Sequence, residues 1–510
     1  MKYFMGIDIG TNTSKGVLID EELNIISHGS AEHETENPAS GFYEHDAEAV
    51  WWGDFCRLSK KLITDTGIDP ADIACVGHSA LSADVVPVDR QCRPLRKAIL
   101  YGIDSRASAE IEYLNDRYGE ERLEELFGGE PLCSSDCMPK ILWIRNHEPE
   151  IYEKTYKFLT ASSYLTAKLT GEYVIDRYLA ISSFQPAYRS DLSISRELTE
   201  EFYCKADQLA AGRETAEIVG YVTREAALKT GLAEGTPVVT GTDDSGAEAI
   251  STGVLAPGDF MAQLGSSCYM MYCTDSLFYD DRLWTGDFLI PGTYCIEGGT
   301  NTAGVLTKWV RDNFYQDLLE EEKRGRDSAF SVMAKKAGSI PPGSGGVMVL
   351  PYFAGERTPI DDANATGIIF GLTTGHTRDH ILRASLEAIA YSVAQHVDIM
   401  EENGAEISEI KCVGGGARND TWLQIIADVT GKTVKTAKVT IGASYGDAMI
   451  AAIGSGHVRD FGSLHDYIRE GDRFEPQSDV HSFYESRKLV FRDLYLDNKE
   501  KMHIMQEKDR

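Results

Sequence analysis

The segment from Asp8 to Lys15 reads Asp-Ile-Gly-Thr-Asn-Thr-Ser-Lys and contains the residue types that bind a phosphate group. Its glycine lets the backbone approach an anion closely, and the N–H groups and hydroxyls of a tight turn can surround phosphate oxygens. Asp8 is suited to holding a hydrated magnesium ion. A polar β-turn without a ligand is the alternative, and the segment alone does not decide between them. The residues predicted to bind phosphate are Gly10, Thr11, Asn12, Thr13 and Lys15.

Two adjacent acids, Asp243 and Asp244, follow an apolar stretch and begin a glycine-containing turn. A carboxylate in such a position can accept the proton of a hydroxyl group as that hydroxyl attacks a phosphorus atom. The alternative is capping of a helix N-terminus, which is the commoner role for Asp before a helix. The pair is therefore a candidate for a catalytic base, with the capping role still open.

A glycine cluster from Gly414 to Asn419 lies between a predicted strand at 410–413 and a predicted helix. A strand, a glycine turn and a helix N-terminus can together bind a nucleotide. A plain tight turn explains the cluster equally well, and its spacing is not that of a dinucleotide fingerprint. The chain also lacks a Walker P-loop, because Ile426 stands where the motif ending at Gly431-Lys432-Thr433 requires glycine. Gly431 is instead predicted to cap the C-terminus of a helix.

An acid and a guanidinium stand two residues apart in the segment from Tyr101 to Arg106. Asp104 and Arg106 can bind the hydroxyls of a polyol, or they can pair with each other. A structural ion pair is the commoner arrangement, so the segment by itself gives only a candidate substrate site.

The predicted elements that carry these residues alternate between strands and helices. Apolar stretches predict strands at 3–8, 15–19 and 25–30, and helical periodicity at 47–63 precedes another strand at 73–77. Such alternation is typical of an α/β domain.

The pattern of the opening returns later in the chain. Phe260 to Leu264 is apolar and leads into Gly265-Ser266-Ser267, a second turn of small, hydroxylated residues. The repetition predicts two related lobes, an N-terminal domain at 1–252 and a C-terminal domain at 253–510 that ends in a terminal helix.

Composition excludes several classes of partner. The 510 residues include 50 basic and 80 acidic side chains, a net charge of −30, which disfavours binding to nucleic acid or to an anionic membrane. No 18-residue apolar stretch predicts a membrane span, and no secretory signal is recognisable at the N-terminus. The ten cysteines include no Cys-x-x-Cys pair, which indicates buried thiols in a reducing compartment. We therefore expect a cytoplasmic protein.

Together these motifs resemble the FGGY family of carbohydrate kinases over nearly the whole chain. The most specific match is Gly367 to Leu372, then seven residues, then His380 to Glu387, which fits the C-terminal signature of the family. The N-terminal signature is matched by Lys140 to His147. It departs at Cys137, where the family prefers Pro, Ser or Thr.

The resemblance implies two ribonuclease-H-like, actin-like ATPase lobes with a cleft between them. It implies ATP as phosphoryl donor, Mg²⁺ near Asp8 and catalysis by Asp244, whose distance to Ser251 and Gly253 fits the family better than that of Asp243. It also implies in-line transfer with lobe closure that excludes water. The other positions that match family nucleotide sites are Gly265, Ser266 and Ser267 as the second phosphate loop, Gly304 and Lys308 beside the nucleotide, and Gly415 and Asn419 at adenosine.

The closest subgroup is xylulokinase-like, which implies a small-molecule substrate resembling xylulose and contacts from Asp104 and Arg106. Typical members have Met-His-Gly where this chain has Ser82, Ala83 and Asp84, so sugar acids, glycerol and other polyols remain alternative substrates. A non-kinase actin-like ATPase and a silent sugar sensor are alternatives of other classes. The sequence does not decide between a monomer and a homodimer.

Overall fold

The three predicted opening strands form an antiparallel meander in a computed structural model that describes residues 1–127, 131–439 and 441–507. Tyr3–Ile9 pairs with Thr13–Ile19, which pairs with Ile25–Glu32. On its other side Tyr3–Ile9 runs parallel to Ile73–Ala80. The first strand is buried along almost its whole length, as expected for the centre of a sheet covered on both faces.

The complete first sheet has seven strands. Thr242–Asp243 pairs in parallel with Ile73–Ala80 at its carboxyl end and lies off the main path. The main path is, in order, Ile218–Tyr221, Pro237–Val239, Ile73–Ala80, Tyr3–Ile9, Thr13–Ile19 and Ile25–Glu32.

Glycines allow one helix to pack closely on this sheet and a second helix to pack closely on the first. A side chain at Gly6 or Gly77 would collide with the helix Ala443–Gly454, and one at Gly446 would collide with the backbone at Ala247 in the helix Asp244–Thr252. The absence of side chains at these glycines therefore lets the helix Ala443–Gly454 lie directly on the two central strands.

The remaining elements of this region surround the sheet. The helix predicted at 47–63 is a π-helix, Ala47–Trp52, continued by the α-helix Gly53–Thr66. The other α-helices are Ser108–Phe127, Cys137–His147, Pro149–Lys154, Ala161–Thr170, Arg177–Ser182, Arg196–Phe202 and Arg224–Thr230. Short strands lie at Glu36–Ala39, Phe42–His45, Val86–Val88, Ala98–Ile99, Lys157–Leu159, Val174–Asp176 and Ala211–Arg213.

A second seven-stranded sheet repeats the plan of the first. Phe260–Leu264 forms a hairpin with Cys268–Thr274 and runs parallel to Glu409–Val413. The strand order is Trp284–Asp287, Tyr294–Thr300, Cys268–Thr274, Phe260–Leu264, Glu409–Val413, Thr433–Ala437 and Glu470–Phe474. The predicted α/β class and the predicted repetition of strand and turn are thus confirmed.

Helices and a small two-stranded sheet complete this second region. The helix Asp420–Thr430 ends at Gly431, whose backbone is left-handed and whose N–H donates to Ala427, as the sequence predicted. The small sheet consists of Met348–Leu350 and Ile368–Phe370. The other α-helices are Gly304–Phe314, Gln316–Lys323, Ala329–Gly338, Arg378–Glu402, Ser478–Leu496 and Lys499–Glu507.

The signature residue Glu387 lies in a buried network of this second region. Its Oε1 accepts hydrogen bonds from Gly343 N, Arg383 Nε and the Tyr484 hydroxyl, and its Oε2 accepts one from the Ser344 hydroxyl. The bonds from Gly343, Ser344 and Tyr484 join the long helix Arg378–Glu402 to neighbouring segments, and the bond from Arg383 lies within the helix, so this part of the signature stabilises packing.

Packing divides the chain into two compact units. The first contains Met1–Leu255, Gly286–Tyr294 and Ile441–Tyr467, and the second contains the described parts of 256–285, 295–440 and 468–510. The sequence predicted a single boundary between residues 252 and 253. The segments 286–294 and 441–467 nevertheless pack with the first unit, because the helix Ala443–Gly454 covers its sheet.

Candidate active site

Three parallel strands of the first unit bring acidic residues to one edge of the sheet. Asp8 lies opposite Ser79, and Asp243 lies opposite Ala80 in the next parallel strand. Asp244 follows at once as the first residue of the helix Asp244–Thr252. Ligands of open α/β sheets bind at the carboxyl ends of the strands, so this edge is the candidate site.

The two adjacent acids have different roles. Asp243 is the N-cap of the helix, since its Oδ1 accepts a hydrogen bond from Gly246 N at 2.7 Å and its Oδ2 one from the Ser245 hydroxyl at 2.8 Å. The capping alternative therefore applies to Asp243. Asp244 is half-buried and is not the cap residue of the helix.

Sequence reasoning missed another acid at this edge, Asp447. It is almost fully buried in the helix Ala443–Gly454, where its Oδ2 accepts a hydrogen bond from the Ser79 hydroxyl at 2.8 Å. The same hydroxyl lies 3.3 Å from Asp8 Oδ1, so Ser79 links two carboxyl groups. Asp447 Oδ1 has no hydrogen-bond partner. A charged residue immediately before the apolar run 448–453 was the signal that the sequence offered.

Burial makes this cluster of carboxyl groups hard to ionise. It raises the pKa of Asp8 to about 7, against the opposing effect of Lys15, and raises the pKa of Asp244 to about 8, with further contributions from Asp8 and Glu248. The pKa of Asp447 is raised well above its usual range, again chiefly by burial and then by Asp8. Desolvated like charges disfavour the ionised forms of one another.

A cation would relieve this repulsion, so the cluster fits a magnesium ion in its chemistry. The donors are hard carboxylate oxygens, one of them without a partner, and oxygen ligands are those that Mg²⁺ prefers. Among the described residues no three His, Cys, Asp or Glu side chains converge into a metal-binding group. Mg²⁺ usually keeps several waters and binds through one or two carboxylates plus substrate phosphates.

The first predicted phosphate loop is the three-residue turn of the opening hairpin. Gly10 N–H donates to the Thr13 carbonyl at 3.3 Å, which closes the turn. The Thr11 hydroxyl donates to the Tyr101 hydroxyl at 3.1 Å, and Asn12 is exposed. Lys15 lies across the hairpin from Asp8, with its side chain exposed. The loop and its cation are thus held next to the acid cluster.

The second predicted phosphate loop is the corresponding turn of the second unit. The Gly265 carbonyl accepts a hydrogen bond from Gly304 N at 2.9 Å, and the Ser266 carbonyl accepts one from Ala303 N at 2.8 Å. Gly304 has to be glycine here, since a Cβ on it would lie 2.5 Å from the Gly265 oxygen. Ser267 completes the turn. Lys308 is exposed one helical turn further on and pairs with Asp312 at 2.7 Å.

The glycine cluster after Glu409–Val413 lies beside this second loop. A Cβ on Gly416 would lie 2.7 Å from Leu264 Cβ, whereas one on Gly415 would meet nothing within 4 Å. Asn419 caps the helix Asp420–Thr430, with its Oδ1 accepting a hydrogen bond from Trp422 N at 3.2 Å. Gly415 therefore presents open backbone next to the second loop.

The predicted substrate pair Asp104 and Arg106 forms a buried ion pair. Arg106 Nη2 lies 2.8 Å from Asp104 Oδ2, and Arg106 Nη1 lies 2.8 Å from Glu44 Oε1. The guanidinium also stacks over the rings of Phe42 and Trp143. The arrangement corresponds to the structural ion pair that the sequence left open as the commoner case.

Ser82, Ala83 and Asp84 form the segment that departs from the xylulokinase-like pattern, and most of it is buried. Ser82 is half-buried, Ala83 has a left-handed backbone with φ of 55°, and Asp84 is fully buried. Asp84 Oδ1 accepts a hydrogen bond from Ala161 N at 3.0 Å, and its Oδ2 has no partner. Burial raises the pKa of Asp84 to about 8, although Lys140 opposes the shift. A non-glycine residue in this conformation is strained, and such strain clusters at functional sites.

Two mixed sheets of the same plan, each with a hairpin turn, and acids at the edge of one of them define an actin-like ATPase with phosphotransfer chemistry. Family models agree. The N-terminal domain of the FGGY family of carbohydrate kinases matches residues 3–251, and its C-terminal domain matches residues 260–455. The chain belongs to the FGGY family of carbohydrate kinases and is an ATP-dependent sugar kinase, as the sequence predicted.

Individual relatives cover nearly the full length. The chain is 27% identical to a xylulose kinase of Bacillus subtilis (strain 168) over 509 residues, 98% of each chain. It is 26% identical to a gluconokinase of Bacillus licheniformis, over 96% of this chain and 94% of that one. The crystal structure of a xylulose kinase from Rhodospirillum rubrum superposes with a TM-score of 0.87 at 26% identity, over 98% of this chain and all of that one. No helix in the described part of the chain is long and apolar enough to span a membrane.

Proposed function

We propose that this kinase phosphorylates a hydroxyl of an uncharged ketose resembling xylulose, with Asp244 as the catalytic base. The observation that carries the proposal is the division of roles at the sheet edge, where Asp243 is engaged in capping and Asp244 is not the cap. The names of the full-length relatives in Bacillus subtilis and Rhodospirillum rubrum support xylulose as the first candidate substrate.

Asp244 in this proposal takes the proton of the attacking hydroxyl. A base must be ionised to do so. Burial raises the pKa of Asp244 to about 8, so the carboxyl group still holds its proton near neutral pH. A positive charge held beside Asp244 would lower that pKa and favour the carboxylate, because an opposite charge nearby favours the ionised form.

Asp8 would hold the magnesium ion of ATP, and Ser79 orients its carboxyl group through the 3.3 Å hydrogen bond. When bound, the ion supplies positive charge that neutralises phosphate oxygens during transfer. Lys15, across the hairpin from Asp8, would supply further positive charge to the same phosphates.

The neutral loops of the second unit are further proposed contacts for nucleotide. Gly265, Ser266 and Ser267 offer backbone N–H groups and hydroxyls to phosphate oxygens, and Gly304 permits the close packing behind them. The open backbone at Gly415 is the proposed contact for adenosine, with Asn419 fixing the helix that follows. Lys308 is the proposed positive charge beside the nucleotide.

The charges near the proposed sugar segment favour an uncharged substrate over a sugar acid. Arg106 is fully engaged by Asp104 and Glu44, and Lys140 donates to the carbonyls of Ser134 and Asp136. Both cations are thus bound by protein groups and are not set aside for a substrate carboxylate. Asp84 offers an oxygen without a partner that can bind a sugar hydroxyl, and Ser82 and Ala83 shape that end of the segment.

A panel of acceptors tests the substrate. We expect ADP formation to be stimulated by xylulose and related ketoses more than by gluconate or glycerol. Preferential turnover of gluconate would contradict the uncharged substrate and favour the activity named for the Bacillus licheniformis relative. Sugar-independent ADP formation would contradict the proposal of a sugar acceptor altogether. The cytoplasmic location stays a prediction, and a monomer and a homodimer both stay open.

A further inference from the structure

The strand segment that precedes the paired acids contains one extra residue. Val238 lies opposite Val76 in the parallel strand Ile73–Ala80, and Thr242 lies opposite Ser79. Four steps along one segment therefore face three steps along the other. Such an insertion is a β-bulge, a feature that often re-aims side chains next to active sites.

This bulge decides which of the two acids stands where the proposed base is. Continuing the register of Val238 without a bulge would place Thr242 opposite Ala80, one residue beyond its actual partner. Asp243 would then move into the position that Asp244 now occupies. A shift of one residue turns every later side chain to the other face of a sheet. The bulge thus leaves Asp243 to cap the helix and places Asp244 in the acid cluster.

Thr240 and Gly241 form the bulge, and neighbouring segments bind the backbone groups of Thr240. Its N–H donates to the Glu217 carbonyl at 3.0 Å, and its carbonyl accepts a hydrogen bond from the Thr166 hydroxyl at 2.9 Å. Thr166 lies in the helix Ala161–Thr170 and is fully buried, and Thr240 is almost fully buried. The carbonyl therefore depends on this hydroxyl, because a buried carbonyl without a donor is costly.

His78 packs against the other residue of the bulge. The backbone of Gly241 is left-handed, with φ of 83°, and a Cβ on it would lie 2.5 Å from His78 Nε2. The same nitrogen lies 2.9 Å from the Thr166 hydroxyl and 3.1 Å from the Ser162 carbonyl oxygen. The His78 ring therefore contacts both the bulge and the side chain that holds it.

The direction of these hydrogen bonds follows from the state of the His78 ring. Burial lowers the pKa of His78 to about 4, so the ring is neutral in enzyme assays. Its Nδ1 has no partner among the described residues, so the single ring hydrogen lies on Nε2. The ring then donates towards Thr166, whose hydroxyl donates in turn to the Thr240 carbonyl.

We propose that His78 and Thr166 are positioning residues for phosphoryl transfer, acting through the bulge that fixes the place of Asp244. The proposal rests on the proposed role of Asp244 as the base. A base has to lie within hydrogen-bond reach of the attacking hydroxyl, and a displacement of about 1 Å can lower the rate by about 10²-fold. Nucleotide affinity should not depend on the bulge, since the two predicted phosphate loops are other turns of the chain.

The test uses variants of Thr166 and a matched control on the same helix. Thr166→Val keeps the size of the side chain but removes the hydroxyl from the Thr240 carbonyl, whereas Thr166→Ser keeps the hydroxyl. Thr170→Val is the control, because the Thr170 hydroxyl donates to the Thr166 carbonyl at 2.7 Å, within the helix. The measured quantities are kcat with the best sugar acceptor, the dissociation constant of ADP and the melting temperature.

Thr166→Val should lower kcat by about tenfold or more and leave ADP affinity within about twofold of wild type. Thr166→Ser should keep kcat within about threefold of wild type, which shows that the hydroxyl is what matters. Thr170→Val should keep kcat within about twofold even where it lowers the melting temperature. This control separates loss of stability from displacement of the base.

Unchanged kcat in Thr166→Val would overturn the proposal, as would an equal loss of kcat in Thr166→Ser or Thr170→Val. A loss of ADP affinity as large as the loss of kcat would also overturn it. If Thr166→Val does not fold, His78→Leu decides instead. Removal of the ring nitrogen should lower kcat several-fold at unchanged ADP affinity, and unchanged kcat in His78→Leu would contradict the proposal.

Asp244→Asn, measured in the same assays, separates this inference from the role of the base. An inactive Asp244→Asn together with a fully active Thr166→Val contradicts only the positioning role of the bulge. Near-normal turnover in Asp244→Asn contradicts the assignment of the base, and the positioning role falls with it.

Discussion

The two units begin with the same hairpin but differ in the charge at its end. Asp8 stands two residues before Gly10 and opposite Lys15, whereas Gln263 stands two residues before Gly265 and opposite Tyr269. The neighbouring parallel strand also differs, since in the first unit it ends beside acids and in the second it runs into the glycines at 414–416.

The difference indicates a division of work between two copies of one scaffold. Buried acids with raised pKa values can move protons and bind a cation, which suits the first unit to chemistry. Neutral turns with open backbone bind a nucleotide through N–H groups without requiring a counter-charge, which suits the second unit to recognition. Substitutions at corresponding positions test this division.

The largest effect is expected at Asp244. Asp244→Asn should lower kcat by about 10²–10⁴-fold because the general base is lost, while ADP binding is retained. Steady-state kinetics and ADP titration measure the two quantities. Asp243→Asn is the matched control, since Asn also caps helices, and it should stay within a few-fold of wild type. A larger loss in Asp243→Asn than in Asp244→Asn would reverse the assignment.

The hairpin positions give the next largest effect. Asp8→Asn should raise the magnesium concentration needed for half-maximal activity by about tenfold or more, because a direct or water-mediated ligand is lost. Gln263→Ala, at the corresponding position of the second unit, should leave that concentration unchanged. A magnesium titration at fixed ATP measures both. Equal magnesium dependence in the two variants would remove the distinction between the units.

Nucleotide recognition by the second unit is tested at two neighbouring glycines. Gly415→Ala should leave the melting temperature unchanged, because its Cβ meets nothing within 4 Å, yet raise the KM for ATP several-fold by blocking close approach. Gly416→Ala should instead lower the melting temperature, since its Cβ would lie 2.7 Å from Leu264. Thermal unfolding and kinetics separate the effects. Unchanged KM in Gly415→Ala would contradict the adenosine contact.

The smallest effect is a pH dependence of stability in the first unit. A carboxyl group whose pKa is raised on folding contributes stability at low pH that is lost as pH rises through the folded-state value. Asp8 and Asp244 have such values at about 7 and about 8. The melting temperature of the ligand-free protein should therefore fall by a few degrees between roughly pH 6 and pH 9.

Asp447→Asn should reduce that decrease, because it removes one buried carboxyl group whose Oδ1 has no partner. Glu356 is the contrasting acid of the second unit, where its oxygens accept hydrogen bonds from the Thr300 hydroxyl and from Asn301 N and Arg357 N. Burial raises the pKa of Glu356 to about 7 as well, so Glu356→Gln should also reduce the decrease with pH. It should in addition lower the melting temperature at every pH, since an amide nitrogen would face a donor. A greater decrease with pH in Asp447→Asn would contradict the account of the acid cluster.

The sequence predicted the elements that local pattern determines. The opening meander, the repeat of strand and turn at Phe260–Leu264 and the cap at Gly431 were all recognisable, because strand periodicity and glycine conformation are properties of short segments. The family signatures identified the kinase. The roles assigned to individual site residues remain proposals, since similarity of pattern does not measure what a side chain contacts.

Only the tertiary structure decided which residues meet. It brought Asp447 to Ser79 across 368 positions of sequence, placed Thr166 at the bulge before the paired acids, and engaged Asp243 in a cap while Asp244 was left beside Asp8. The sequence by itself determined the turn that follows the first strand and the paired acids, and it predicted that the turn binds phosphate. Burial and register, which depend on packing between distant segments, determined the charge of those acids and which of them caps a helix.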